Sequence, residues 1–347
     1  MREAMTSPPD LSSLMLRESR EAPEVVSRFL SRNRAAIASL AARLRDRPVR
    51  LVATCARGSS DHAATYGKYL IETRLGVPVA SVAPSVASLF AAPVATDEAL
   101  FVAVSQSGRS PDLLAACDAW RKAGVPVAVL VNDETAPLVE RADWSLPLCA
   151  GPERSVAATK SCLAAMAGFA ALVAAWSGDR ALSAAVEDLP ESLSRTLARD
   201  WSAGVAPLAA ARQMFVIGRG YGFAAAQEAA LKLKETCAIQ AEAFSAAEVR
   251  HGPMAIVGPG FPVLAFVTDD AAGRSVADVA GEFAGRGAIV LRAEVSEGAR
   301  LPVEAAHPAI QPILMLASFY GLADALARLR GLDPDRPPHL AKVTQTR

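Results

Sequence analysis

Two hydrophobic rhythms alternate along the chain. Short apolar runs of strand length, at 49–54, 77–82, 100–104, 127–131 and 144–148, are separated by stretches whose apolar residues recur three and four apart, the spacing of a half-buried helix. The clearest unit runs from Ala99 to Trp120. Its apolar run stops at Ser105-Gln106-Ser107-Gly108, and a helical pattern opens at Pro111 with Leu113, Leu114, Cys117 and Trp120 on one side. Upstream, 15–34 reads as an amphipathic helix with Pro23 as a break or restart, followed by a second helix over 35–45. The turn Ala56-Arg57-Gly58-Ser59-Ser60-Asp61 leads into a helix over 62–75, a short helix starts at Thr135, and Gly151 to Lys160 open a long one that reaches Trp176.

A charged helical stretch, 182–210, separates this half from a second. There a strand at 214–217 is followed by Gly218-Arg219-Gly220-Tyr221-Gly222, a helix over 224–239, a strand at 263–267 ending in Thr268-Asp269-Asp270, a helix near 274–284 and a strand at 288–292. The interval from Gly58 to Ser105 is close to that from Gly220 to Thr268, so the chain reads as an internal repeat of one α/β unit. Strands that alternate with helices predict parallel, doubly wound sheets.

A strand ending in hydroxyl residues and a glycine, with a helix opening at once, gathers free N–H groups and a positive dipole end in one small volume. Such a volume suits a phosphate; the same residues also serve ordinary strand-to-helix turns. In the second repeat the matching loop carries Asp269 and Asp270, whose carboxylates repel a phosphate, so anion binding is expected in the first half only. Composition narrows the partners. The 347 residues are 52% apolar and carry 36 basic against 36 acidic side chains, which recommends neither nucleic acid nor an anionic membrane. Five scattered cysteines fit a reducing cytoplasm, and Arg2 and Glu3, with no apolar segment behind them, do not read as a signal peptide. The apolar stretch 161–176 reads as a buried helix, and the four histidines lack ligand spacing, so no metal and no cofactor are expected.

Six motifs in order resemble one family. They are Ser105-Gln106-Ser107-Gly108, Gly151-Pro152-Glu153 with Val156-Ala157-Ala158-Thr159-Lys160, Gly218-Arg219-Gly220, Ala230-Leu231-Lys232-Leu233-Lys234-Glu235, His251-Gly252-Pro253 and Leu340-Ala341-Lys342. Together they resemble the tandem sugar isomerase (SIS) domain family, and within it the isomerase half of glucosamine 6-phosphate synthase. The resemblance implies two flavodoxin-like domains: N-terminal helices at 1–47, a phosphosugar-binding domain at 48–180, a domain carrying the catalytic helix at 181–330, and a tail over the active site at 331–347. Without the synthase's glutaminase domain, with Arg109 in place of an acidic residue and Ala158 in place of a serine, the chain is similar to the second type of glucosamine 6-phosphate deaminase.

Carried over residue by residue, the family's phosphosugar contacts fall on Ser60, Ser105, Gln106, Ser107, Ser110, Val156 and Ala158. Ser60 equally reads as a helix cap. Lys232 and Glu235, three apart on one helix, read either as a surface ion pair or, by the resemblance, as the pair in which Glu235 moves a proton between C1 and C2 of the sugar and Lys232 stabilises the oxyanion. His251 reads as an exposed loop residue, or by resemblance as the group that opens the sugar ring from the neighbouring subunit of a homodimer. Lys342 reads as part of a loose end, or by resemblance as a contact to the open sugar. The expected activity is conversion of glucosamine 6-phosphate and water to fructose 6-phosphate and ammonia in the cytoplasm. A phosphosugar isomerase, a deglycase and a non-catalytic phosphosugar sensor are the rivals.

Overall fold

The structure is a computed structural model describing residues 12–342; Arg2, Glu3 and residues 343–347 of the expected tail lie outside it. Two helices open it, α1 (Leu14–Arg20) and α2 (Ala22–Asp46). Pro23 marks a helix restart, one of the two outcomes expected of it: α1 ends at Arg20 and α2 begins at Ala22. It occupies the first turn of α2, where its missing N–H would have had no intrahelical partner, and α2 continues without interruption through residue 35.

The first half then supplies β1 (Leu51–Cys55), α3 (Ser59–Leu75), β2 (Val79–Ser81), α4 (Pro84–Ser88), β3 (Ala99–Ser105), α5 (Pro111–Lys122), β4 (Val127–Val131) and β5 (Trp144–Pro147). Helices α6 (Lys160–Ser177), α7 (Arg180–Glu187), α8 (Leu189–Thr196) and α9 (Val205–Leu208) lead to the second. That half contains β6 (Gln213–Gly218), α10 (Tyr221–Cys237), β7 (Gln240–Ser245), β8 (Pro262–Phe266), α11 (Ala271–Gly285), β9 (Ile289–Glu294), β10 (Leu301–Pro302) and α12 (Gln311–Leu329). The sheet orders are β2-β1-β3-β4-β5 and β7-β6-β8-β9-β10, the same order in both halves, and all pairings are parallel. These are two tandem flavodoxin-like sheets flanked by helices.

Side-chain alternation assigns the layers. In β3, Leu100, Val102 and Val104 join a core that extends through α2, α3, α6, α10 and α12 to Leu264 and Phe266 of the other sheet. Phe101 and Ala103 point the other way, under α5, where Phe101 stacks on Trp120 at 5.4 Å. The two sheets therefore share one helical middle layer. Helices α6 and α12 are long and apolar enough to cross a membrane by composition, but 89% and 78% of their windows are buried inside the fold.

Several expected boundaries move for local reasons. Residues 151–159 form a loop rather than helix, and the helix expected from Thr135 is a single 3-10 turn at Val139–Arg141. The stretch 182–210 is broken at Pro190 and again near Gly204. Helix α10 stops at Cys237 because Ala238 turns left-handed, at φ 51°, and α11 starts early because the Asp270 carboxylate accepts the Gly273 N–H at 2.8 Å.

Candidate active site

In the first sheet β1 and β3 are neighbours, yet α3 and α5 pack on opposite faces, which opens a crevice at the carboxyl ends of the two strands. It is a cleft of about 380 Å3. Nine of the expected residues line it: Ser60, Ser105, Gln106, Ser107, Ser110, Val156, Ala158, Glu235 and Lys342. Lys232 lies behind Glu235, and His251 is not in its wall.

The floor is built by two turns. Gly58 caps α3 at φ 55°, ψ −132°, so Ser60 lies inside the helix and the cap reading of that serine falls. The Ser105 hydroxyl accepts the Gly108 N–H at 2.9 Å, which curls the loop back on itself. A Cβ on Gly108, at φ 61°, would lie 2.6 Å from the Ala136 Cβ and 2.8 Å from Val131 Cγ2, so no other residue fits this closure. Ser110 caps α5 by position but its hydroxyl bonds nothing there. The hydroxyls of Ser60, Ser107 and Ser110 have no protein partner among the described residues, and they surround the positive end of α5. Arg57, held by Asp112 at 2.5 Å, adds a cation. Hydroxyls, helix N-terminus and guanidinium together supply the donors and the positive charge with which a phosphate oxyanion pairs. Arg109 turns away to Asp133, 2.8 Å distant; the Thr135 hydroxyl, and after it Arg109, hold the Asp133 carboxyl down at about 2.

Helix α10 forms the opposite wall. The Lys232 ammonium is wholly buried, 2.5 Å from Glu235 and 3.3 Å from Glu228, and it donates to the Ser59 hydroxyl at 3.0 Å. The surface ion-pair reading is thereby overturned. Glu228 is also fully buried; its other oxygen lies 2.8 Å from His62 Nδ1. Burial pushes the Glu228 carboxyl up, but Lys232 and His62 outweigh it and hold the group below its ordinary value. Burial likewise pushes Lys232 down, and the two carboxylates outweigh it in turn, keeping the ammonium charged. Glu235, with its side chain 19% exposed, is the member of this cluster that reaches the cleft.

The rim is held from α1. Glu18 accepts the N–H groups of Arg154 and Ser155 at 2.5 and 3.1 Å, just before Val156, and burial pushes its carboxyl up. Asp335 accepts the N–H groups of Leu14 and Met15 at 2.7 and 2.8 Å and so anchors the tail that delivers Leu340 and Lys342. Loop and tail are joined by Lys342, 3.4 Å from Glu153, a buried carboxylate that also accepts the Ser161 hydroxyl at 2.6 Å. In the second half the corresponding loop is already occupied by its own groups. Thr268 donates to Asp270 at 2.8 Å, and Asp270 caps α11. His251 stands exposed after the 3-10 turn Glu248–Arg250.

Sequence reasoning gave no role to Arg57, Ser59, His62, Glu153 and Glu228. The usable signal was the stripe Glu228, Lys232 and Glu235, spaced four and three apart in a helix otherwise rich in alanine.

A sequence model of the SIS domain matches residues 47–175 and 207–292. The glutamine–fructose-6-phosphate aminotransferase [isomerizing] of Symbiobacterium thermophilum is 36% identical over 317 residues, covering 85% of this chain and 52% of that protein. The chain spans about half the length of the curated relatives it matches. Among solved structures, a protein of Silicibacter pomeroyi DSS-3 named as a phosphosugar isomerase is 42% identical, with a TM-score of 0.88 over 93% of this chain and 100% of the other. The glucosamine-6-phosphate deaminase of Thermotoga maritima, 22% identical, shares the fold, with a TM-score of 0.77 over 96% of this chain and 100% of that one. Matched in both of its halves, the chain belongs to the SIS domain family.

Proposed function

We propose that the protein is an amino-sugar phosphate deaminase that converts glucosamine 6-phosphate and water to fructose 6-phosphate and ammonia. The observation that carries this reading is that the unpartnered hydroxyls and the Glu235 carboxylate share one cleft although they come from different halves of the chain. A phosphate held by Ser60, Ser107, Ser110 and the start of α5 leaves the sugar carbons to extend toward α10. There Glu235 takes the C2 proton of the open-chain aldehyde and returns a proton to C1, which leaves an imine at C2. Water adds to that imine, ammonia departs, and the ketone remains. Lys232, a fixed ammonium behind Glu235, and Lys342 at the rim stabilise the oxyanion that develops in between.

Ring opening falls to His251. Since its own cleft does not include it, the histidine is supplied by a second subunit, and the active unit is a cytoplasmic homodimer. Residues 48–180 act as the phosphosugar-binding domain, 181–330 carry the catalytic helix, and the tail from 331 closes over the sugar. The name of the Silicibacter pomeroyi relative favours a second reading, an aldose-ketose isomerase that releases no ammonia. The test is a coupled assay over hexosamine and hexose phosphates. Ammonia appearing one for one with ketose phosphate supports the deaminase; ketose phosphate without ammonia supports the isomerase.

A further inference from the structure

A second cavity, of about 280 Å3, lies among α1, the end of α8 with the turn after it, and α12. Three guanidinium-bearing side chains line it, Arg20, Arg199 and Arg328, with one carboxylate, Asp200. Asp200 is already engaged, accepting the N–H and hydroxyl of Ser202 at 2.8 and 2.9 Å. Arg199 pairs with Glu304 and Arg328 with Asp324. Arg20 has neither an ion pair nor a side-chain hydrogen bond among the described residues.

One hydroxyl of the same wall is buried and unsatisfied, and a second has no side-chain partner among the described residues. Thr196 is only 1% exposed, and its buried Oγ1 has no partner among the described residues. Ser318, on α12, is 8% exposed and makes no side-chain hydrogen bond among them. Buried hydroxyls are normally satisfied, and one left alone beside a guanidinium-lined cavity lacks the acceptor that a ligand oxygen would supply. Leu16, Leu197 and Leu322 complete the wall and suit a small carbon skeleton.

We infer that this cavity is a second ligand site, separate from the catalytic cleft, for a small metabolite carrying an oxyanion, either a phosphate monoester or a carboxylate. The anionic group pairs with Arg20, within reach of the forks of Arg199 and Arg328, and its oxygens satisfy the hydroxyls.

Calorimetric titration of the full chain tests this, with inorganic phosphate and glycerol 2-phosphate as one arm and malate as the other. Wild-type protein should bind the phosphate probes at two sites per chain, or malate at one if the ligand is a carboxylate. Ser107→Ala should weaken only the cleft site. Arg20→Gln and Thr196→Val should each weaken the second site tenfold or more and spare the first. Arg20 is exposed and Thr196→Val keeps the side-chain shape, so unchanged thermal unfolding separates loss of the site from loss of the fold. Phosphate and malate binding with no site weakened by both Arg20→Gln and Thr196→Val, whether or not Ser107→Ala reveals a cleft site, or no binding of either probe, overturns the inference.

Discussion

Replacing Lys232 by methionine tests the buried charge cluster most directly. Methionine keeps the volume of the aliphatic stem and deletes the ammonium, which leaves Glu228 and Glu235 facing each other in a site where Glu228 has no solvent at all. With an effective dielectric of about 20, a charge 3.3 Å from a carboxylate is worth about 5 kcal/mol before desolvation is counted. Part of that returns because the ammonium no longer has to be buried, and removing one partner of a buried pair leaves a net loss of about 3–5 kcal/mol. Against a total of about 5–15 kcal/mol for a folded domain, the variant should still fold but with a urea midpoint far below that of the wild type.

The pH dependence has a defined sign. Because its folded pKa is depressed, Glu228 contributes stability that is present above the ordinary carboxylate value and lost as pH falls through the lower folded one. Without Lys232, burial is less opposed, the folded pKa rises, and the loss begins at higher pH. Adding Glu228→Gln to Lys232→Met should recover more than about 1 kcal/mol, since contacting residues couple. A loss of less than about 1 kcal/mol in the single variant, or no recovery in the double, would refute the account of a buried ammonium held by two carboxylates.

Four further outcomes are expected. Glu235→Gln should still bind glucosamine 6-phosphate but take up no deuterium at the exchanging carbon in deuterated water; exchange near the wild-type rate would remove Glu235 from the role of base. Ser107→Ala should raise KM by an amount equivalent to about 1–3 kcal/mol, and a phosphosugar soaked into crystals should place its phosphate beside Ser107 and Ser110, not at Thr268. Mixed dimers of Glu235→Gln and His251→Ala should regain activity that neither parent has, whereas confirmed heterodimers without activity would mean that each subunit completes its own site. Glu18→Gln removes one of the two acceptors holding residues 154 and 155, so KM should rise several-fold with kcat little changed; equal losses in both would show that the loop acts on the chemical step.

Where a pattern was local, it was readable. The run 127–131 is β4 to the residue, and the Ser105-to-Gly108 loop joins the end of β3 to the start of α5 as the strand-to-helix pattern predicts. Two kinds of feature were not readable. Strand β7, Gln-Ala-Glu-Ala-Phe-Ser, lies at a sheet edge and is largely open to solvent, so it carries no apolar run. Helix α12 is buried almost all round and has no polar face to give it a helical period. The site was legible as a set of residue types but not as a network. That Glu18 on α1 pins a loop 136 residues away, or that His62 meets Glu228 across 166, depends on packing between helices that no local spacing encodes.

The repeat explains where the cleft lies. Helices α3 and α10 have the same length, follow glycines of nearly the same conformation, Gly58 at φ 55° and Gly220 at φ 56°, and pack together in the shared middle layer. Helix α10 therefore faces the loops of the first half, which is how a helix of the second half brings a carboxylate to the hydroxyl-lined turns of the first. Counted from those glycines, the positions of Glu228, Lys232 and Glu235 on α10 correspond to Tyr66, Leu70 and Thr73 on α3. Tyr66 bonds the Ala309 carbonyl at 2.7 Å, Leu70 is core, and Thr73 meets the Tyr221 hydroxyl at 2.9 Å, echoing the contact of Lys232 with Ser59. Those three positions of α3 thus carry no ion pair among the described residues, and in the loop of the second half Thr268 is bonded to Asp270, itself committed to capping α11. One half supplies the unpartnered hydroxyls and the other the ionised helix, and their packing across the middle layer produces a cleft lined by both.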